Sequence, residues 1–251
     1  MNDIKNLLSE IELSLGVKVL YACETGSRAW GFPSPDSDYD IRFVYMHERD
    51  WYLSLSQRKD TIEIMDGDLD ITGWDLKKCL TLLNKSNAPL IERFQSPVEY
   101  YAVPGFKDDF KKLVEDYYSP VAVFFHHYSL AKKFWEELRG KEEYKLKSVF
   151  YLVRSLLSCN WIIEDNSLLP MDVFGLMKYT SAEQKEKLNE LITLKATVGE
   201  KYLHTKDLLL DKWIKEWFEK AEVNKDKLAA NKNDMKQLNG FFLKMLYATD
   251  N

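Results

Sequence analysis

The hydrophobic pattern of the chain changes character near residue 104, and this change limits the folds that the chain can adopt. Before that point, short apolar runs typical of strands alternate with segments of helical spacing. After that point, the strand pattern fades and helical spacing dominates. Val103-Pro104-Gly105 and Ser119-Pro120 interrupt the chain between the two parts. The sequence therefore predicts a mixed α/β or α+β domain over residues 1–110 and a helical domain over residues 111–251.

The predicted elements follow from the same periodicity. In the first part we expect a helix at 4–15 ended by Gly16, strands at 17–22, 39–46, 61–65 and 69–74, and a helix to residue 83 with Asp75 as its N-cap. In the second part we expect helices at 106–118, 120–138, 144–164, 182–196, 205–221 and 231–247.

Charge and cysteine content exclude several classes of protein. The 251 residues include 35 Lys and Arg against 40 Asp and Glu, a net charge of −5, which argues against non-specific coating of duplex nucleic acid. The three cysteines are scattered and form no CxxC pair, as expected for reduced thiols. No apolar run reaches the ~18 residues that span a bilayer, and the first residues lack the apolar core of a signal peptide. We expect a cytoplasmic protein with no membrane partner.

The passage from Gly26 to Arg42 carries the polar residues that suggest chemistry. Gly26 allows a close approach of the backbone to another group, and Ser27 supplies a hydroxyl. Residues 27–30 have the length of a helical turn, whose free N–H groups would face an anion. These features indicate a small phosphate site.

Three aspartates predict a cation site. Asp38 and Asp40, two residues apart on one strand, would point to the same face. Asp70 lies between Leu69 and Ile71, as a single acid on a half-buried strand does. Carboxylates on one face repel unless a cation lies between them, and hard oxygen ligands suit Mg²⁺ or Mn²⁺. Asp68, placed on the same strand face as Asp70, is an alternative third acid.

Two other interpretations compete for these acids. Asp36-x-Asp38-x-Asp40 resembles the start of a calcium loop, but Ile41 and His47 stand where that loop needs Gly and Glu. A solvated acidic turn is the second interpretation, and we favour it for Asp36 alone.

The whole passage resembles the signature of the DNA polymerase β-like nucleotidyltransferase superfamily. The resemblance is carried by Gly26-Ser27, ten intervening residues, Asp38-Tyr39-Asp40-Ile41, and the later triplet Leu69-Asp70-Ile71. The fuller wording Gly-Ser-Arg-Ala-Trp-Gly followed by Ser-Asp-Tyr-Asp-Ile-Arg is similar to bacterial and phage nucleotidyltransferases of the YcgL type, some of which are linked to RNA repair.

The resemblance implies a fold and a reaction. The fold would be α+β: a mixed nucleotidyltransferase-type sheet with flanking helices, followed by an all-helical C-terminal domain. Asp38 and Asp40 would hold two Mg²⁺ or Mn²⁺ ions, and Asp70 would bind one of them and help to deprotonate the acceptor hydroxyl. Gly26 and Ser27 would contact the nucleotide phosphates. The reaction would move a nucleoside monophosphate from an NTP to an acceptor and release pyrophosphate.

Further nucleotide contacts are predicted from helical spacing and chemistry. Arg28 follows Ser27 and would pair with phosphate, the alternative being a structural salt bridge. Lys147, Tyr151 and Arg154 share one stripe of a predicted helix, with Ser158 one turn further, and would hold triphosphate and stack a base. An ordinary solvated helix face is the competing interpretation of this stripe. For Arg42 we expect a structural ion pair.

Two hypotheses from other classes remain. A catalytically silent nucleotide- or RNA-binding module would share the fold, but a degenerate member should lose one of the three acids, and all three are present. A structural partner protein would use the aromatic helical half. The acceptor, whether an RNA end, a tRNA, a protein hydroxyl or a small molecule, the choice of NTP and the oligomeric state are left open by the sequence.

Overall fold

The computed structural model describes residues 2–229 and 234–248, which form two compact units. The described residues of the first unit are 2–26, 38–118 and 234–248. Those of the second unit are 27–37 and 119–229. Each unit therefore combines segments that are distant in the chain.

The elements, in chain order, number seven strands and twelve α-helices over the described ranges. The strands are β1 Val17–Glu24, β2 Tyr39–His47, β3 Thr61–Asp66, β4 Leu69–Asp75, β5 Glu99–Ala102, β6 Glu143–Lys145 and β7 Leu203–Thr205. The helices are α1 Asn2–Leu15, α2 Gly26–Trp30, α3 Arg49–Tyr52, α4 Leu76–Leu83, α5 Ala88–Gln95, α6 Phe106–Tyr117, α7 Pro120–Leu138, α8 Leu146–Asp165, α9 Val173–Leu176, α10 Ala182–Lys195, α11 Leu208–Asn224 and α12 Lys236–Ala248.

The first unit is built on a five-stranded mixed sheet in the order β3-β4-β2-β1-β5. Strands β2 and β4 run parallel, and the other neighbouring pairs run antiparallel. Parallel neighbours need a crossover connection, which residues 48–68 provide. This parallel pair lies at the centre of the sheet and carries the acids described below.

Alternation along the central strands sends apolar and polar side chains to opposite faces. Ile41, Phe43 and Ile71 are fully buried and pack in one cluster with Leu8 and Ile11 of α1. Because successive strand residues point to opposite faces, the intervening polar residues of β2 and β4 lie on the other side of the sheet. The α1 side of the sheet is therefore apolar, whereas the opposite face carries polar residues near the start of β2 and β4 and the fully buried Val44 and Met46 further along β2.

The second unit is helical. Helix α7 packs along α8, which is buried over most of its circumference, and α11 packs against α8 as well. Strands β6 and β7 form a small antiparallel ladder in this unit. None of the described helices is both long and apolar enough to cross a bilayer.

The predicted fold class is confirmed. Each predicted strand is present, and its observed ends differ by two residues at most. The helical region has one addition, because Tyr144 and Thr205, which we expected to begin helices, instead belong to the β6–β7 ladder. Each of these two segments gains a hydrogen-bonding partner that only the folded chain provides. Helices α3 and α9 and strand β5 have four residues each, too few for the periodicity to reveal, and the eight-residue helix α5 was not predicted.

The last predicted helix is only partly covered by the described residues. Helix α12 occupies Lys236–Ala248, whereas residues 231–233 of the predicted segment lie outside the described residues.

Candidate active site

Asp40 and Asp70 lie side by side on the two parallel strands of the first unit. The register of β2 and β4 places Asp40 opposite Asp70. Arg42, two residues further along β2, places Nη2 at 2.8 Å from Asp40 Oδ1 and at 2.8 Å from Asp70 Oδ2. Both carboxylates remain partly accessible, with 26% and 32% of the side chain exposed. The two acids therefore share a single cation, and the expected ion pair of Arg42 is confirmed.

The main chain of Asp40 is held by β1 and the residue after it. The Asp40 N–H donates to Glu24 Oε1 at 2.7 Å. The Asp40 carbonyl accepts from the Thr25 N–H at 2.9 Å and from Thr25 Oγ1 at 3.2 Å. Glu24 is 1% exposed, and its other oxygen accepts a hydrogen bond from the Tyr100 hydroxyl. Both polar backbone groups of Asp40 are thus fixed, which holds its carboxylate in place.

Glu24 is a site residue that the sequence motifs do not indicate. Its only sequence signal is an acid that directly follows the apolar run Tyr21-Ala22-Cys23. A buried carboxylate is costly unless it is hydrogen-bonded, so an acid at the end of such a run is a reasonable candidate for a site residue.

Gly26 is required by the position of the Asp40 carboxylate. Its φ of +63° lies in the left-handed region, and a Cβ at this position would lie 1.9 Å from Asp40 Oδ2. Any larger residue would therefore move the Asp40 side chain or the backbone that follows β1. The predicted close approach at Gly26 is confirmed, and the group approached is Asp40.

Asp38 and Asp68 lie outside the strands. Strand β2 begins at Tyr39, so Asp38 precedes it and is exposed, and the prediction of two acids on one strand is wrong by one residue. Asp68 lies in the turn after Gly67, and its carbonyl accepts the Tyr39 N–H at 2.8 Å. The argument that Asp68 shares a strand face with Asp70 therefore fails.

The donor set at Asp40 and Asp70 is suited to a hard cation. Within residues 2–229 and 234–248, no three or more His, Cys, Asp or Glu side chains are arranged closely enough to hold a metal ion. The two carboxylates that already share the Arg42 guanidinium are hard oxygen donors of the kind that Mg²⁺ and Mn²⁺ prefer. Their chemistry fits such an ion, whereas Asp38 lies outside the strand and is exposed.

A second guanidinium lies on the same side of the sheet. Arg93 of α5 is 3% exposed and stacks at 3.4 Å over the ring of Trp74, which shares a strand face with Asp70. Burial lowers the pKa of Arg93 to about 10, so the group stays protonated at neutral pH. This face of the sheet thus combines two partly exposed acids with two arginines.

In the second unit, Ser27 and Arg28 of α2 both donate hydrogen bonds to Ser37. The Ser27 hydroxyl donates to Ser37 Oγ at 3.1 Å, and Arg28 Nη2 donates to the Ser37 carbonyl at 2.7 Å. The predicted helical turn is confirmed as α2. The loop from Ser27 to Ser37 is therefore closed on itself by its own polar groups.

Lys147, Tyr151 and Arg154 occupy different environments on α8. Lys147 Nζ lies 2.6 Å from Glu200 Oε2. The ring of Tyr151 meets the Trp30 ring edge-on at 5.2 Å, and the Arg154 guanidinium lies 4.4 Å over Trp30. Lys147 and Tyr151 are half-buried and Arg154 is buried, and Tyr151 and Arg154 both contact Trp30.

The interpretation of this stripe as a solvated face is wrong for its second half. Arg154 is 4% exposed and donates from Nη2 to the Met171 carbonyl at 3.0 Å, and Ser158 is fully buried. The aromatic loop residues Trp30 and Phe32 cover the helix, with Phe32 stacked at 4.8 Å on Phe150.

The residues predicted for the site thus fall into two groups. The first unit brings together Asp40, Asp70 and Gly26. The second unit brings Ser27 and Arg28 onto Ser37 and links Ser37 to Lys147 through Glu200.

A mixed sheet with acids on adjacent strands after a Gly-Ser turn is consistent with the nucleotidyltransferase-like fold of the DNA polymerase β superfamily. A family model matches residues 1–244, and its description is RlaP, the RNA repair pathway DNA polymerase beta family. The chain belongs to that family.

Two relatives are similar over different lengths. The protein YcgL of Bacillus subtilis (strain 168), described as uncharacterized, is 38% identical over 231 residues, which cover 91% of this chain and 89% of the relative. The protein MJ0002 of Methanocaldococcus jannaschii, also described as uncharacterized, is 28% identical over 141 residues, which cover 54% of this chain and 56% of the relative.

Proposed function

We propose that the protein is a metal-dependent nucleotidyltransferase that moves a nucleoside monophosphate from an NTP to an acceptor hydroxyl and releases pyrophosphate. The observation that carries this proposal is the pair Asp40 and Asp70, which neighbouring parallel strands place on one cation. Membership of the polymerase β-type family supports the reaction class.

Asp38, Asp40 and Asp70 are the proposed metal ligands and catalytic acids. Two Mg²⁺ or Mn²⁺ ions, when bound, would neutralise triphosphate charge and make the acceptor hydroxyl more acidic. Asp70 would help to take the proton of that hydroxyl, and the partial exposure of its carboxylate supports this role. Glu24 and Thr25 keep Asp40 in place by holding its main chain.

Six residues are the proposed nucleotide contacts or their supports. Gly26 gives the triphosphate access to the backbone, and Ser27, Arg28 and Lys147 supply a hydroxyl and two cations for its oxygens. Tyr151 and Arg154 serve the site by holding the ring of Trp30, two residues after Arg28.

RNA is the proposed acceptor class, and a small molecule is the alternative. The family description places its members in an RNA repair pathway. The net charge of −5 is compatible with recognition of a single end or loop, since extended duplex binding needs many phosphate contacts.

A catalytically silent nucleotide- or RNA-binding module is the second candidate. It is favoured by Arg42, whose guanidinium already bridges both acids and balances part of their charge. The two candidates differ in whether nucleotide is transferred or only bound.

Transfer of radiolabelled nucleotide from each of the four NTPs tests the proposal. The purified chain is incubated with Mg²⁺ or Mn²⁺ and pooled RNA, and label in RNA is measured. We expect transfer by the wild type, and Asp40→Asn or Asp70→Asn to reduce it by about a thousandfold, because several kcal/mol of metal-based stabilisation are lost.

Asp66→Asn is the matched control, because Asp66 is an exposed acid of β3 that lies opposite Leu69, on the other face of the sheet from Asp70. Its transfer rate should equal that of the wild type. Equal transfer by Asp40→Asn and the wild type would contradict the proposal, and NTP binding without any transfer would support the silent module.

A further inference from the structure

The loop that contains Ser27 is held in the second unit by a segment more than 150 residues later in the chain. We refer to residues 195–200 as the clasp segment. Lys195 Nζ donates to Ser34 Oγ at 2.8 Å, and the Glu200 N–H donates to Asp36 Oδ1 at 2.9 Å. A Cβ on Gly199 would lie 2.9 Å from Asp36 Oδ2, so the backbone approaches the loop closely there.

The Glu200 carboxylate of the clasp segment is connected by hydrogen bonds to two predicted phosphate ligands, to one directly and to the other through Ser37. The Ser37 hydroxyl donates to Glu200 Oε1 at 3.0 Å and accepts from the Ser27 hydroxyl at 3.1 Å. Lys147 Nζ donates to Glu200 Oε2 at 2.6 Å. Glu200 is therefore linked to Lys147 directly and to Ser27 through Ser37.

We refer to the hydrogen bonds from Ser27 to Ser37 and from Ser37 to Glu200 as the relay. Its geometry leaves the hydroxyl of Ser37 little freedom to rotate. Ser37 is 4% exposed, and its hydroxyl also accepts the Ser34 N–H at 2.9 Å. A hydroxyl has one proton to donate and two lone pairs to accept, and all three are used here. The direction of the Ser27 hydroxyl bond is consequently set by the acceptor at the end of the relay, Glu200.

Charge gives Glu200 a second role in the same place. Lys195 is 1% exposed, and burial lowers the pKa of its ammonium group. The nearby Lys147 also lowers this pKa, whereas Glu200 and Asp36 raise it. The Glu200 carboxylate therefore offsets the repulsion between two lysines that lie beside the Ser27–Ser37 loop.

We infer that Glu200 is a positioning residue that fixes Lys147 directly, and the Ser27–Ser37 loop through Ser37, in the orientation in which Lys147 and the loop bind the triphosphate of the NTP. This inference rests on the proposed function, and it gives the clasp segment a role in recognising phosphate.

When Glu200 loses its charge, the direction in which the affinity for triphosphate changes distinguishes a positioning role from mere proximity. A carboxylate that only lay near a triphosphate would repel it, so its neutralisation would tighten binding. A carboxylate that orients the binding groups would weaken binding when neutralised, although a repulsive charge is removed. Glu200→Gln keeps the size and one oxygen that can accept from Ser37, whereas it removes the charge and replaces the oxygen that accepts from Lys147 with an amide NH2 group.

Binding of MgATP and of inorganic tripolyphosphate to the full chain, measured by titration calorimetry, tests the inference. We expect Glu200→Gln to raise both dissociation constants by about tenfold, which corresponds to about 1.4 kcal/mol of lost binding. In the transfer assay, KM for the NTP should rise by a similar factor while kcat changes less than twofold.

Asp207→Asn is the control for a general effect on the second unit. Asp207 also pairs with a lysine, Lys187 at 2.8 Å, and its Oδ1 accepts the N–H groups of Leu209 and Leu210. Asp207→Asn should leave both dissociation constants unchanged. A double variant with Lys147→Met gives a further readout, because the loss caused by Glu200→Gln should shrink when Lys147 is absent.

The possible outcomes are distinguishable. Unchanged or tighter binding by Glu200→Gln, with a wild type that binds and transfers nucleotide, would overturn the positioning role alone. Equal losses in Glu200→Gln and Asp207→Asn would also overturn it. A wild type that neither binds MgATP or tripolyphosphate nor transfers any nucleotide would remove the proposed function and this inference together.

Discussion

The two units carry polar clusters of opposite character. In the first unit, two partly exposed carboxylates, Asp40 and Asp70, face the single guanidinium of Arg42. In the second unit, the carboxylates of Glu200 and Asp36 lie with three cations, Lys147, Lys195 and Arg28, around the Ser27–Ser37 loop. The first cluster has an excess of anionic oxygen, which suits a divalent cation, and the second has an excess of cationic nitrogen, which suits phosphate. Under the proposed function, the first cluster would bind metal and the second would bind triphosphate.

The largest effect expected from a test of this comparison is that of a substitution at Gly26, which should disturb the first cluster more than the second. Gly26→Ala would place a methyl group within van der Waals overlap of Asp40 Oδ2. We expect transfer to fall by at least about a hundredfold, since small displacements of a catalytic group are costly. Binding of tripolyphosphate, measured by calorimetry, should weaken by a smaller factor than transfer, because Gly26 is only one of the proposed phosphate contacts.

Gly67→Ala is the matched control for Gly26→Ala. Gly67 has a similar φ of +57°, but a Cβ there meets nothing within 4 Å. It carries the same backbone strain of about 1–3 kcal/mol without the clash. Transfer by Gly67→Ala should stay close to that of the wild type, and a comparable loss in both variants would show that strain alone explains the effect.

A second change breaks the charge balance of the first cluster only. Arg42→Met leaves Asp40 and Asp70 without their shared cation, so the free energy of unfolding in the absence of divalent ions should fall by about 1–2 kcal/mol. Added Mg²⁺ should raise the melting temperature of this variant more than that of the wild type, because it replaces the missing charge. Thermal unfolding with and without Mg²⁺ measures both effects.

Lys78→Met controls for the loss of an ordinary ion pair in the same unit. Lys78 lies 2.8 Å from Asp60, which is 53% exposed, so the pair contributes little. A Mg²⁺ response of Arg42→Met no larger than that of Lys78→Met or the wild type would contradict a cation site at Asp40 and Asp70.

The change with the smallest expected effect on the acid cluster concerns the other end of β4, where an acid is buried rather than accessible. Asp75 N-caps α4 and accepts the Tyr52 hydroxyl at 2.7 Å. Burial raises the pKa of Asp75 from its ordinary value of 3.8 to about 6. Between these values the folded protein binds more protons than the unfolded chain, so the free energy of unfolding should fall with rising pH by up to about 3 kcal/mol and then level off above pH 6.

Asp75→Asn should remove this part of the pH dependence. Denaturant unfolding at pH values from 4 to 7 compares the two proteins. Parallel curves for the wild type and Asp75→Asn would show that Asp75 titrates alike in both states. The acid cluster should be unaffected, because Asp70 lies five residues before Asp75 on β4.

Sequence alone predicted the first cluster better than the second. Strand periodicity and the Gly-Ser and Asp-x-Asp spacing are local, so the residue pattern by itself identifies Asp40, Asp70 and the close approach at Gly26. The one-residue error at Asp38 arises because strand ends are set by ladder hydrogen bonds, such as the one from the Tyr39 N–H to the Asp68 carbonyl.

The missed residues all act over long distances in the chain. Glu24 holds Asp40 from 16 residues away, and Glu200 reaches Ser37 from 163 residues away. No periodicity or spacing encodes such contacts, because they exist only once the elements have packed. The packing of Arg154 against Trp30 was hidden for the same reason, since spacing alone cannot tell a solvated cationic stripe from one that other side chains cover.

The carboxylates of Asp40 and Asp70 lie side by side because β2 and β4 pair in one particular register. Asp70 meets Asp40 because residue 69 faces residue 39 and each step is matched as far as Asp75. Shifting β4 by one residue would turn Asp70 toward α1 and put Ile71 in its place beside Arg42. The connection from residue 48 to residue 60 can thus vary in length among related chains, whereas the two-residue turn at Gly67 and Asp68 has no such latitude.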